Sequence, residues 1–109
     1  MNLTIISLDS FKKDVKKLLK KYKKLSVDLK SLNEILQNNP KFGIELTSKL
    51  YKIRLENSST STGKSGGFRV IYYYLDEKKN IYLLKMYSKT EIANIKEEVL
   101  IEILKSQIR

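Results

Sequence analysis

The chain of 109 residues contains no cysteine and no histidine. The first absence removes disulfides and thiolate nucleophiles, and the two together remove the donors on which zinc sites are built, so no metal and no cofactor is expected. A domain with no need of disulfides is expected in a reducing cytoplasm. Long apolar runs are missing as well. The first apolar stretch, in MNLTIISLDSFKKDVKK, precedes its positive charges, and charge interrupts every later one, so neither a signal peptide nor a membrane span is expected. Negative charge is scarce: 12 acidic residues face 22 basic ones, a net charge of +10.

What is present fits one domain over residues 1–109, with 41% hydrophobic residues for a modest core. The charge is uneven. Residues 1–64 hold fourteen bases and six acids, an excess of eight, whereas residues 65–109 hold eight and six, an excess of two. Such an imbalance points to a polyanionic partner, nucleic acid first; the plainer reading is solubility alone.

Along the chain, Leu3 to Ile6 forms a short apolar run with the makings of a strand. From Leu8 the period becomes helical. Leu8, Phe11, Val15, Leu18, Leu19 and Tyr22 form a stripe, with Ser7 or Asp9 as N-cap and eight lysines between the apolar positions, among them Lys12, Lys16 and Lys20. Each lysine of this ladder is first of all a solvated position, yet the row is also an electrostatic footprint for RNA. A second helix follows Ser26, carries Leu29, Leu32 and Leu36, and must end at Asn38-Asn39-Pro40, because the residue before proline avoids the helical region. The short link makes the pair an antiparallel hairpin.

The remainder is extended. LYKIRLEN alternates strictly, with Tyr51, Ile53 and Leu55 on one face and Leu50, Lys52 and Arg54 on the other. Residues 58–67 form a Ser/Thr/Gly loop, FRVIYYYL a strand, residues 76–80 a hairpin turn, and IYLLKMY the returning strand. Ser88-Lys89-Thr90-Glu91 matches a capping box, with Ile92, Ile95, Val99 and Ile103 as the stripe of a last helix. The expected fold is α+β, in the order β-α-α-β-β-β-α. An N-terminal helical hairpin packs on a small, mostly antiparallel sheet of four strands, with a C-terminal helix. A second sheet face, partly exposed, carries Lys52, Arg54, Arg69 and Tyr73.

The GKS at 63–65 invites comparison with a phosphate loop. The leading glycine of that motif would fall on Ser58, and a strand follows where a helix must open, so the comparison fails. Lys64 instead sits in a glycine-flanked rim able to meet RNA phosphates. Tyr73, on the Arg69 face, is placed to stack on a base, although packing is the commoner use of a strand tyrosine. Without histidine or cysteine, acid–base work falls to lysine, tyrosine or carboxylate. Arg54, two residues from Lys52 on one face, favours a neutral, base-competent lysine, and Arg69 can neutralise charge on a phosphorane-like transition state. Such a set suits RNA cleavage by the RNA's own 2′-hydroxyl, though strand cations bind more often than they catalyse.

YKIRL, a glycine loop and GKSGGFRVIYYYLDEKKNIYLLKMYSKTE together resemble the RelE/ParE superfamily of toxins from bacterial toxin–antitoxin systems. The nearest branch is the RelE/HigB-like one, with its G-K-x-G-G loop and terminal Y-x-K-x-E. The likeness spans roughly residues 8–105 and is specific over 51–91. It implies a toxin that enters the ribosomal A site and cuts mRNA without a metal, leaving a cyclic phosphate. By matching positions it assigns Lys52 and Arg54 to the paired basic residues, Arg69 to the transition-state arginine, and Lys89 to the lysine after the last strand. It also implies a cognate antitoxin, a small helix-turn-helix or other DNA-binding repressor. Two departures stand out. Thr90 occupies a position that is arginine in RelE, and Ile95 and Lys96 fall where RelE has a tyrosine in its last helix; no tyrosine follows Tyr87, which is the one able to act instead. Gyrase poisoning in the ParE manner, or RNA binding without catalysis, are the other readings the sequence leaves open.

Overall fold

The computed structural model describes residues 3–60, 66–90 and 94–108. Five strands and three helices follow one another as β1 (Thr4–Ser7), α1 (Asp9–Leu19), α2 (Leu25–Asn38), β2 (Ile44–Thr47), β3 (Leu50–Leu55), β4 (Phe68–Leu75), β5 (Asn80–Ser88) and α3 (Glu97–Gln107). The sheet order is β1-β5-β4-β3-β2. Only the β1–β5 pair is parallel; the other three are antiparallel. The expected α+β layout is present, with one strand more than expected.

That extra strand, β2, is wholly exposed at the sheet edge and pairs with β3 through a tight turn at Ser48-Lys49. Lys49 there takes a left-handed backbone (φ 65°), a conformation usually announced by glycine or asparagine. The turn therefore carries no signature in the sequence.

The hairpin α1–α2 covers one sheet face. Alternation sends Tyr51, Ile53 and Leu55 of β3 and Phe68, Val70, Tyr72 and Tyr74 of β4 to that side, where they meet Phe11, Leu18, Leu25, Leu32 and Leu36. Burying each of these side chains is worth roughly 1.5–3 kcal/mol, which makes this the main core. Tyr51 and Tyr72 stack at 5.2 Å, and Tyr22 meets Phe68 edge-on at 5.2 Å.

Three helix boundaries differ from the sequence reading. The N-cap of α1 is Leu8, with no side-chain cap, because Ser7 completes β1 and Asp9 already lies in the first turn. Helix α1 stops at Leu19, so four of the eight ladder lysines, Lys20 among them, fall in the link Lys20–Lys24 instead of on the helix. Lysines four apart repel one another along the ladder, and Tyr22 is drawn down onto Phe68 and Ser88, which takes the chain off the helical path. Ser88 of the expected capping box is not a helix cap, and Glu91 and Ile92 of the expected box and stripe lie outside the described residues. Ser88 is the last residue of β5, its hydroxyl lies 2.8 Å from that of Thr90, and α3 begins only at Glu97 with Lys96 as N-cap. The buried positions of α3 are Leu100 and Ile103, while Val99, expected on the stripe, is exposed.

Helix α3 covers the second sheet face. A smaller cluster of Leu8, Leu50, Ile71, Leu84, Tyr87, Leu100 and Ile103 lies beneath it, so this face is less open than expected. Gln107 at the helix C-terminus accepts the Ser10 backbone N–H at 3.1 Å, tying the far end of α3 to α1.

Candidate active site between β3–β5 and α3

Two structural details decide which side chains meet on the α3 face. The first is the register of β3, β4 and β5. Arg54 lies opposite Arg69, and Arg69 lies opposite Tyr87, so the three form one row across three strands. Directly opposed residues have Cβ atoms about 5 Å apart. Lys52 sits one pleat further along β3, opposite Ile71.

The second is a β-bulge in β5, where Ile71 pairs with Lys85 but Tyr72 pairs with Leu83. The extra residue switches the alternation: Ile81 and Leu83 face the helical hairpin, and beyond the bulge Met86 does so too, leaving Tyr87 on the opposite face. Without it, Tyr87 would share the side of Ile81 and Leu83. Helix α1 holds the bulge through residues four apart on one of its faces. Ser10 Oγ donates to the Leu84 carbonyl at 2.6 Å, Asp14 Oδ2 accepts the Met86 N–H at 2.9 Å, and Asp14 Oδ1 pairs with Lys85 Nζ at 2.9 Å. The backbone groups displaced by the bulge are thereby satisfied.

The electrostatics follow from burial. Arg69 is only 5% exposed, and its guanidinium donates to the Phe68 carbonyl at 3.2 Å. Burial first, and then the neighbouring Arg54, hold its proton affinity below the usual arginine value. Burial pushes the Tyr87 phenol above its ordinary pKa, and Arg69 pulls it part of the way back. Tyr87 is therefore protonated at neutral pH and can donate a hydrogen bond or a proton.

Beside this row lies a cavity of about 240 Å³. Lys52, Tyr87 and Ile71 line it from the sheet, Leu46 and Thr47 from β2, and Asn94, Glu97 and Leu100 from the α3 side. The edge strand β2 and the start of α3, both absent from the sequence reading, thus supply two of its walls. Glu97 was also missed. The acidic pair Glu97-Glu98 is a usual sign of a helix N-terminus, and weighing it against the capping box would have placed both the helix start and this carboxylate.

The other expected residues are distributed as follows. Lys89 follows β5 directly, is exposed, and donates its backbone N–H to Gly67 at 3.0 Å, at the same end of the sheet as Arg54 and Arg69. Tyr73 is on the α3 face but packs against Tyr82 (ring centroids 6.4 Å apart) in the smaller cluster. It lies four residues, or about 13 Å, along the strand from Arg69, so it is not next to the arginine row. Lys12 and Lys16 flank an apolar groove of about 460 Å³ between α1 and α2, on the opposite side of the sheet. Lys20 opens the link that Tyr22 anchors near Ser88 and Phe68, at the arginine end but behind it. Lys64 lies outside the described residues. The Ser/Thr run before it, expected as a flexible loop, is held at its start: buried Asp28 of α2 accepts the Ser58 N–H at 3.1 Å, and Asn57 accepts from Ser59 and Thr60.

No known protein-family profile matches the chain. Among solved structures, the free-state E. coli toxin RelE carrying two arginine-to-alanine substitutions superposes with a TM-score of 0.61 at 19% identity, covering 96% of this chain and 97% of that one. The isolated E. coli RelE toxin in its P21 crystal form gives 0.56 at 19% identity, covering 95% and 97%. The fold is that of RelE, as the resemblance led one to expect.

Proposed function

We propose that this RelE-fold protein is the toxin of a bacterial toxin–antitoxin system, and that it is an endoribonuclease cutting mRNA in the ribosomal A site. The observation that carries the reading is the Arg54–Arg69–Tyr87 row beside Lys52. Two guanidiniums directly opposed across neighbouring strands concentrate positive charge at one spot on this face, a placement that suits an anion. An RNA phosphate is the anion that the overall +10 charge favours.

Each group has work in the attack of a 2′-hydroxyl on the adjacent phosphate. The 2′-O–P bond forms and the P–O5′ bond breaks, leaving a 2′,3′-cyclic phosphate and a 5′-hydroxyl. Arg69 and Arg54 neutralise the charge that builds on the phosphorane oxygens, the role a metal would otherwise fill. Tyr87, held protonated by burial, donates to the departing O5′. Lys52 lines the neighbouring cavity and binds the flanking phosphate. Lys89 and the Lys20–Lys24 link extend positive potential around the same end of the sheet, where ribosomal RNA would lie.

The partner is a small antitoxin, a DNA-binding repressor whose acidic segment complements this charge. The apolar groove of α1 and α2, with Lys12 and Lys16 on its edge, offers such a segment both apolar contact and cations. The action is cytoplasmic, in keeping with the absence, among the described residues, of any helix long and apolar enough to cross a membrane.

Translation and DNA supercoiling measured side by side in bacterial extracts test this reading. The wild-type protein is expected to stop translation and shorten ribosome-bound mRNA while gyrase keeps working. Lost supercoiling with intact mRNA would replace it by gyrase poisoning, the alternative for this fold, and stalled translation with intact mRNA would leave RNA binding alone.

A further inference from the structure

The Arg54–Arg69–Tyr87 row can stabilise charge and donate a proton, but none of its three members accepts the proton that the attacking 2′-hydroxyl must lose. Lys52, the base expected from the sequence, is engaged on the flanking phosphate in the reading above. A permanent guanidinium has no lone pair to offer, and a tyrosine held in its protonated form is a donor. The cavity beside them contains the missing type of group. Glu97, in the first turn of α3, lines the same 240 Å³ space as Lys52 and Tyr87. Its carboxylate is an acceptor only, and among the described residues it is the sole acidic side chain lining that cavity.

Local structure holds it there. Leu100 and Ile103 pack α3 onto Leu50, Ile71, Leu84 and Tyr87, and Gln107 ties the other end of the helix to Ser10. Leu100 stands three residues after Glu97, so the two share one face of the helix, toward the sheet. Glu97 and the next residue, Glu98, are both exposed at the helix start, but only Glu97 lines the cavity. Asn94, just before the helix, adds an amide able to orient a ribose hydroxyl at the same wall.

We infer that Glu97 is the general base of the reaction, taking the 2′-hydroxyl proton from a ribose seated in the cavity between β3 and α3. The inference rests on the ribonuclease reading above. The proton passes from O2′ to a Glu97 carboxylate oxygen as the 2′-O–P bond forms; the P–O5′ bond breaks and the departing oxygen takes the Tyr87 proton. Water then returns each group to its starting state. Arg54 and Arg69 face the phosphorane, and Lys52 lines the same cavity as Glu97 and Tyr87.

Single-turnover cleavage of mRNA on purified, programmed ribosomes, followed against pH, tests it with the full-length protein. Glu97→Gln is expected to lower the cleavage rate by ~10²–10⁴-fold and to flatten the acid side of the pH profile, with ribosome binding retained. Glu97→Asp is expected to restore part of the rate and the acid limb. Glu98→Gln removes the same first-turn charge from α3 and is expected to cut like wild type, which separates a proton acceptor from a helix-stabilising charge. Circular dichroism checks that each variant is folded. If the wild type cuts and Glu97→Gln keeps its rate within about threefold, with its acid limb intact, Glu97 is not the base. If the wild type leaves mRNA whole, the ribonuclease reading fails first and this role fails with it.

Discussion

Removing the Asp14 carboxylate tests how the fold positions its site, because that one group holds the β5 bulge in two ways. It accepts the Met86 N–H and pairs with Lys85, both at 2.9 Å. Its side chain is 14% exposed and that of Lys85 24%, so water reaches both only in part. A fully buried pair broken on one side costs about 3–5 kcal/mol and an exposed one under about 1, which places this one between. Asp14→Ala also leaves the Met86 N–H without its acceptor, worth about 1–3 kcal/mol by itself. The expected loss for Asp14→Ala is therefore about 3 kcal/mol. Asp14→Asn keeps an oxygen for Met86 and loses only the charge, for about 1 kcal/mol. Urea unfolding gives both values, and hydrogen exchange at Met86 separates the causes: protected in wild type and Asp14→Asn, fast in Asp14→Ala. Equal losses for the two variants, or a loss below about 1 kcal/mol for Asp14→Ala with Met86 still protected, would refute the reasoning.

Three further perturbations have definite outcomes. A Cβ at Gly43 would stand 2.8 Å from the Lys52 carbonyl oxygen and 3.1 Å from the Tyr72 hydroxyl, so Gly43→Ala is expected to cost about 1–3 kcal/mol in thermal or urea unfolding, since backbone cannot yield as a side chain can. Burial pushes the Tyr72 phenol up to about 12, above its unfolded value of 10. The folded state thus holds that proton more tightly, and the resulting stability, on the order of 2 kcal/mol, is complete below pH 10 and lost as pH rises toward 12. Unfolding curves from pH 8 to 12 should show this decline, and Tyr72→Phe should flatten it while lowering stability at neutral pH, because the Gly43 N–H loses its acceptor. Lys79 has φ 54° in the exposed β4–β5 turn, and Lys79→Gly is expected to raise stability by about 0.5–1 kcal/mol in the same assay.

The parts of the fold that were legible in the sequence are those written as local periodicity. Strict alternation in LYKIRL separated Lys52 and Arg54 from the core side, and the same rule put Arg69 with Ile71 on the opposite face from Val70 and Tyr72. What was not legible depends on long-range contacts. The bulge that turns Tyr87 toward Arg69 is held by Ser10 and Asp14, more than seventy residues away in sequence. Strand β2 hides behind a turn with lysine at the left-handed position. Ser88 looks like a helix cap but is claimed by strand pairing with Phe68, and the start of α3 is marked instead by Glu97-Glu98. Lys12 and Lys16 belong to the ladder by composition, yet the topology sends them to the far side of the sheet from the arginine row.

The central claim is that the Arg54–Arg69–Tyr87 row cuts RNA on the ribosome. The most direct measurement maps new mRNA 5′ ends and 3′ end groups on purified ribosomes carrying a defined A-site codon, with the wild type and Arg69→Ala at equal occupancy. The wild type is expected to leave a break inside that codon ending in a 2′,3′-cyclic phosphate, and Arg69→Ala to slow it by ~10²–10³-fold while still binding. Cleavage by Arg69→Ala at the wild-type rate, or an uncut message under the wild-type protein, would contradict the account.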